Sequence, residues 1–181
     1  MTTLQIYLFG AAYLVLLAVV AILVRATPRR IGGALAGGAV AGVVALGIIA
    51  LGNWLEWWQF VMSWEPYYLT LMVLAFAACT AFMFLITWRI ARRFGWRGLA
   101  VVLIVVAVIG PPRDYWYMAR FPEWGAFGPG VAPVLADAAA YVLLVAVGHV
   151  VMRLVAGPAR ADRLARRPWE AASTSLPTSS S

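Results

Sequence analysis

Residues 4 to 24 form an unbroken apolar run that stops at Arg25, and the chain then repeats this pattern of apolar run followed by arginine. A stretch of ~20 apolar residues is the length of helix that crosses a bilayer. In lipid every backbone N–H and C=O must be satisfied inside the protein, so such runs fold as helices and pack as a bundle. Further runs cover residues 33 to 52, 67 to 88, 98 to 110 and 131 to 155. With 64% hydrophobic residues, 12% charged residues and a mean hydropathy of +0.88, the chain lies outside the soluble range of roughly 45–50% apolar and about 25% charged. The expectation is an all-α integral membrane bundle of about five transmembrane helices. Residues 1 to 170 would form its single domain, and the Ser/Thr-rich tail, 171 to 181, has too little apolar content to fold. The run from 98 to 110, about thirteen residues before Pro111-Pro112, is shorter than the ~17 a crossing needs. It either begins near Phe94 or continues as a Pro-kinked helix through Tyr117.

The charges orient the bundle. All fourteen basic residues are arginine. If the chain starts outside and crosses five times, only Arg113 and Arg120 lie outside, and the other arginines cluster after the first, third and fifth runs, as the positive-inside rule requires. This predicts an outer N-terminus and a cytoplasmic C-terminus. The first run has no cation before it and no small-residue cleavage site after a short core, so it reads as a retained span and not as a signal peptide. Topology accounts for the net charge of +7, and no nucleic-acid partner is expected. The absence of lysine beside abundant Ala, Gly, Arg and Pro suggests a GC-rich bacterial genome, hence a bacterial cytoplasmic membrane. Cys79 is a lone cysteine without metal-ligand spacing. In the second run, small residues at 33, 37 and 41 and at 34, 38 and 42 have the spacing that lets helix backbones approach closely.

Two segments carry chemistry that a plain anchor does not need. The first, residues 53 to 68, crowds aromatic rings around Glu56 and Glu65. Read as a continuation of the second helix, it puts Asn53, Glu56, Trp57, Phe60 and Trp64 on one stripe, a carboxylate walled by aromatic faces. The second, residues 111 to 130, is aromatic, acidic and rich in Pro and Gly, and is expected to be looped or partly helical on the same side of the membrane. Trp54, Tyr68, Tyr115, Trp116 and Trp124 complete the aromatic lining of a candidate site. Glu56, Glu65, Asp114, Glu123 and Asp137 all converge on that end. The plainer reading of Glu56 is an interfacial carboxylate in an aromatic belt, and Arg113-Asp114 reads equally as a local ion pair.

Asp137 is the sharpest single residue. It falls about six residues into the last run, roughly 9 Å below the helix start, where an ionisable group is costly and functional by default. Tyr141, four residues on, shares its face and could hydrogen-bond it. The alternative is an Asp that caps or braces a helix starting later, after Pro133. His149, near the other end of the last run, reads as a packed residue.

The chain has no paired-Asp motif for Mg²⁺ and a diphosphate, no DxDD acid motif, no His/Cys cluster and no phosphate loop. No metal or cofactor is therefore expected. What remains is acid–base chemistry by carboxylates in an apolar aromatic cavity, where burial can keep a carboxyl protonated as a donor and aromatic faces stabilise a cation.

Trp54-Leu55-Glu56-Trp57-Trp58, about five spans, and Asp137 with Tyr141 in the last span resemble the integral-membrane terpene cyclases. These are the bacterial enzymes of drimentine-type indole sesquiterpenoid pathways and, more distantly, the fungal meroterpenoid cyclases. The resemblance covers about residues 50 to 141. It implies that Glu56 and Asp137 protonate the prenyl chain of a lipophilic prenylated indole or other aromatic substrate and deprotonate the cyclised product, with Glu123 and Asp114 as reserve candidates. The alternative from a different class is a non-catalytic lipid-binding or transport-accessory protein that grips membrane lipid or a partner subunit with its aromatic end.

Overall fold

Proline at the first helical position gives up a backbone N–H that no helix start can use, and its fixed φ is already helical. Two helices of this chain begin that way. The computed structural model describes residues 3–157, in the order α1 (Thr3–Leu23), α2 (Pro28–Trp54), β1 (Trp58–Phe60), α3 (Pro66–Arg120), β2 (Gly125–Phe127) and α4 (Ala132–Ala156), with a 3₁₀ turn at Pro122–Trp124. The readings that concern Arg160, Arg163, Arg166, Arg167 and the 171 to 181 tail lie outside the described residues. The protein is a mainly helical bundle, and α2, α3 and α4 are each long and apolar enough to cross a membrane.

The helix α3 is two rods. Gly95 sits at φ 65° and ψ −147°, a backbone geometry that L side chains rarely adopt. In a continuous helix residues 90 and 98 would lie about 12 Å apart. Here a Cβ built on Gly98 would stand 2.7 Å from Ile90 Cγ2 and 3.3 Å from the Ile90 carbonyl oxygen, so the chain reverses at Gly95. The first arm covers 66–94 and the second 96–120. The short run expected at 98 to 110 is thus corrected: it is the middle of a rod of about 37 Å, because the helix runs on through Pro111 and Pro112 as the kinked-helix alternative required. Of residues 111 to 130, expected to be looped or partly helical, 111 to 120 are helical and 121 to 131 carry the irregular segment.

The centre of the bundle is α2. Gly33, Gly37 and Gly38, Ala34, Ala41 and Gly42 are all buried, and the two small-residue rows meet different neighbours. Gly33 and Gly37 face Met152, Ala156 and Gly148 of α4, while Gly38 and Gly42 face Ala77, Thr80, Val73 and Phe76 of the first arm. Close approach on both sides is what the doubled spacing allows. Trp88, Phe84, Leu85 and Met152 fill the core toward the Arg-rich end. There the hydroxyl of Thr87 lies 3.0 Å from His149 Nδ1, which makes His149 a packed core residue. The outermost helix, α1, packs chiefly on α3 and leaves Leu14, Val15, Val19 and Ile22 exposed.

At the opposite end, residues 53 to 64 depart from the expected helix. The helix α2 stops at Trp54 and Glu56 takes φ 58°. Asn53 ends it by bracing an extended strand: its Oδ1 accepts the Phe60 N–H at 3.0 Å and its Nδ2 donates to the Phe60 carbonyl at 3.4 Å. That strand, β1, pairs antiparallel with β2, with Trp58 opposite Phe127, Gln59 opposite Ala126 and Phe60 opposite Gly125. The stripe of Asn53, Glu56, Trp57, Phe60 and Trp64 therefore does not exist. In a strand successive side chains alternate between faces, so Trp58 and Phe60 turn inward together while Gln59 turns out.

Candidate functional site

A cavity of about 480 Å³ opens between the helices beneath the strand pair, within the roughly 300–1,000 Å³ usual for small-molecule sites. Every helix contributes. Its walls carry Tyr13 of α1, Ile48 and Ile49 of α2, Trp58 and Phe60 of β1, Phe76, Phe82 and Phe84 of the first arm, and Val106 and Ile109 of the second. Its charged groups enter at one place, where Arg113 and Asp114 of the second arm meet Asp137 and Tyr141 of α4, while Cys79 and Thr80 of the first arm add a thiol and a hydroxyl to the wall.

Three of these polar side chains satisfy one another. Arg113 donates from Nε and from a terminal nitrogen to Asp114 Oδ1, at 2.9 and 2.8 Å. The same terminal nitrogen also donates to the Tyr141 hydroxyl oxygen, and the Tyr141 hydroxyl donates to Asp114 Oδ2 at 2.7 Å. The guanidinium lies 5.3 Å from the centroid of the Tyr141 ring. Gly110 makes room for that ring, since a Cβ there would overlap it. Arg113-Asp114 is thus a local ion pair, as its plainer reading had it, and a third member joins it across the helix interface. The hydroxyl of Tyr141 serves Asp114, and the bond to Asp137 suggested by their spacing is replaced by this one.

Asp137 stands apart. It is 8% exposed, lies one turn from Tyr141 on the cavity wall, and its Oδ2 is buried without a hydrogen-bond partner. Leaving a buried acceptor unpaired costs about 1–3 kcal/mol, so the position is not one that packing alone selects. The capping alternative for Asp137 is removed by the start of α4 at Ala132, with Pro133 in its first turn. Beside it, the Tyr115 ring stacks on Phe127 at 4.1 Å and its hydroxyl is also buried and unpartnered.

The remaining expected site residues divide sharply. Phe60 lines the cavity, whereas Glu56 is exposed in the turn after α2 and is absent from the wall. Trp54 is 78% exposed, and Trp64, Tyr68 and Trp116 are exposed as well. Trp57 packs edge-on against Trp58, and Trp124 stacks on Phe121 at 4.7 Å, both outside the wall. Glu123 is exposed in the 3₁₀ turn. Asp114 moves from reserve candidate to the centre of the polar cluster. Trp58, 3% exposed and hydrogen-bonded through Nε1 to the Ile49 carbonyl at 3.3 Å, and Tyr13, stacked on Phe82, line the cavity but are not among the candidate site residues read from the sequence, although Trp58 closes the Trp-Leu-Glu-Trp-Trp motif. Tyr13 had a signal, a hydroxyl placed midway along an aliphatic run; Trp58 had none, because its inward face depends on β1 being a strand.

No protein family, curated protein or solved structure matches this chain.

Proposed function

We propose that the protein is a metal-free membrane terpene cyclase that starts ring closure by protonating the prenyl chain of a lipophilic prenylated aromatic substrate. One observation carries the reading: a buried carboxyl, Asp137, has an unpartnered oxygen in a mostly apolar, aromatic-lined cavity whose other charged groups, Arg113 and Asp114, pair with each other. An alkene is a weak base, so its protonation needs an acid held close and away from water, and the resulting cation needs electron-rich walls without nucleophiles. Asp137 supplies the proton. The rings of Trp58, Phe60, Phe76 and Tyr13 face the migrating charge, each desolvated cation–π contact contributing ~2 kcal/mol. Asp114 receives the final proton, and Tyr141, bonded to Asp114 and one turn from Asp137, lies on the path that returns it. One proton enters and one leaves, so the product is an isomer of the substrate and no cofactor is consumed. Glu56 has no part in this scheme.

The same proposal takes the protein to a bacterial cytoplasmic membrane in five crossings, α1, α2, the two arms of α3 and α4, with the N-terminus outside. The support is the gathering of Arg25, Arg29, Arg30, Arg89, Arg92, Arg93, Arg97 and Arg153 at one end. A reporter fused after Ser181 is expected to be active in the cytoplasm only; periplasmic activity would reject the topology.

The decisive experiment feeds membranes bearing the protein with farnesylated indoles and related prenylated aromatics. Products of unchanged mass and altered retention are expected. Tight binding with quantitative recovery of unchanged substrate across the panel would instead make this a lipid-binding protein.

A further inference from the structure

The Arg-rich end holds a second arrangement that the cavity does not use. Trp88 is 2% exposed, and the Arg30 guanidinium lies 4.2 Å from its ring centroid while that of Arg92 lies at 5.7 Å. Two cations thus share one buried indole and repel each other. Arg89, Arg93 and Arg97 are exposed, Arg93 lying 5.3 Å from the centroid of the Phe94 ring, itself exposed, whereas Arg30 and Arg92 are half-buried against one buried indole.

A third source of positive potential converges there. Arg30 occupies the first turn of α2, where the helix dipole is already positive, and Thr27 offers that turn no side-chain cap. The neighbouring Arg29 is engaged elsewhere, donating from Nε to the Val155 carbonyl at the end of α4. The described carboxylates, Glu56, Glu65, Asp114, Glu123 and Asp137, stand toward the other end of the bundle. Like charges held together on an aromatic platform, at a helix N-terminus and away from any described carboxylate, make a site for an anion. The site lies at the level of the helix ends, with Leu23 and Leu154 exposed at the same end, which is where a phospholipid places its phosphate beside its acyl chains.

We infer that Arg30 and Arg92, held over Trp88, bind the phosphate of an anionic phospholipid, independently of the chemistry in the cavity. The test titrates the purified full chain in neutral detergent with short-chain phosphatidylglycerol, short-chain phosphatidylcholine and inorganic phosphate, following bound lipid by native mass spectrometry and tryptophan fluorescence. Saturable binding of phosphatidylglycerol is expected, with little binding of the other two. Losing both arginines in R30Q/R92Q is expected to weaken it about thirtyfold, the contribution of two cations beside a lipid surface. The charge-retaining R30K/R92K should keep most of the affinity, and R89Q/R93Q, whose exposed side chains are not held at the site, should change it less than about threefold, the scale of a single solvent-screened charge interaction. R92Q alone, which leaves the closer Arg30–Trp88 contact in place, serves if the double variant fails to fold. Equal binding of phosphatidylcholine, inorganic phosphate binding as tightly as the lipid, or equal losses in R89Q/R93Q and R30Q/R92Q would each overturn the site.

Discussion

Asp137→Asn is expected to lower cyclisation by ~10²- to 10⁴-fold or more, the range for losing a general acid, while the protein still inserts and folds. The amide has nearly the volume of the carboxyl, so the contacts of α4 with the second arm of α3 persist; what disappears is the proton available to the cavity. An initiating acid has more leverage than most acid–base groups, because no cation forms until it acts. Glu56→Gln is the paired measurement. Glu56 is exposed in the turn after α2 and absent from the cavity wall, so its turnover should stay within about threefold of the wild type, far from the range of a lost general acid. Near-normal turnover in Asp137→Asn on a substrate that the wild type converts would remove Asp137 from the chemistry, and a collapse in Glu56→Gln would show that the end segment carries the acid after all. Loss of activity in both with intact folding would return the chemistry to the two-carboxylate scheme.

The second large effect is structural. Gly37→Leu places a side chain where even a Cβ would overlap the Gly148 backbone carbonyl. A backbone atom cannot rotate away as a side chain can, so α2 and α4 must separate along their contact. Overpacking typically costs 1–3 kcal/mol, occasionally more, and this site lies at the upper end because the clash is with backbone on a helix buried from two sides. The expected result is a marked fall in thermal stability in detergent, with aggregation on size exclusion. Gly47→Leu is the matched control: it lies on the same helix, is exposed, and has nothing within 4 Å of a Cβ, so its change should stay within ~0.5 kcal/mol. Equal behaviour of the two variants would mean that the small-residue rows do not govern the approach of α2 to α4.

Asp137 and Gly37 were both legible in the sequence for the same reason: each is defined within one helix. The cost of an ionisable group depends on its depth along a single apolar run, and small residues every fourth position mark a face of a single helix whatever it meets. Glu56 and Trp58 were not legible. Continuing the helical period past Trp54 placed Glu56 on an inward stripe and omitted Trp58, whereas Asn53 turns the chain into β1, and β1 is a strand only because β2, beyond the whole of α3, pairs with it. Short-range pattern cannot show a partner so distant.

The sequence by itself determined the membrane class, the places of the apolar helices, the gathering of arginine at one end and the depth of Asp137, since transfer to lipid acts on each segment separately and its cost is written in that segment's composition. Only the tertiary structure decided that α3 folds back at Gly95, that Tyr141 gives its hydroxyl to Asp114, and that one carboxyl is left unpartnered in the cavity. Those outcomes depend on which side chains of different helices reach one another, and a hydrogen bond offered to two acceptors goes to the one that packing brings within 3 Å.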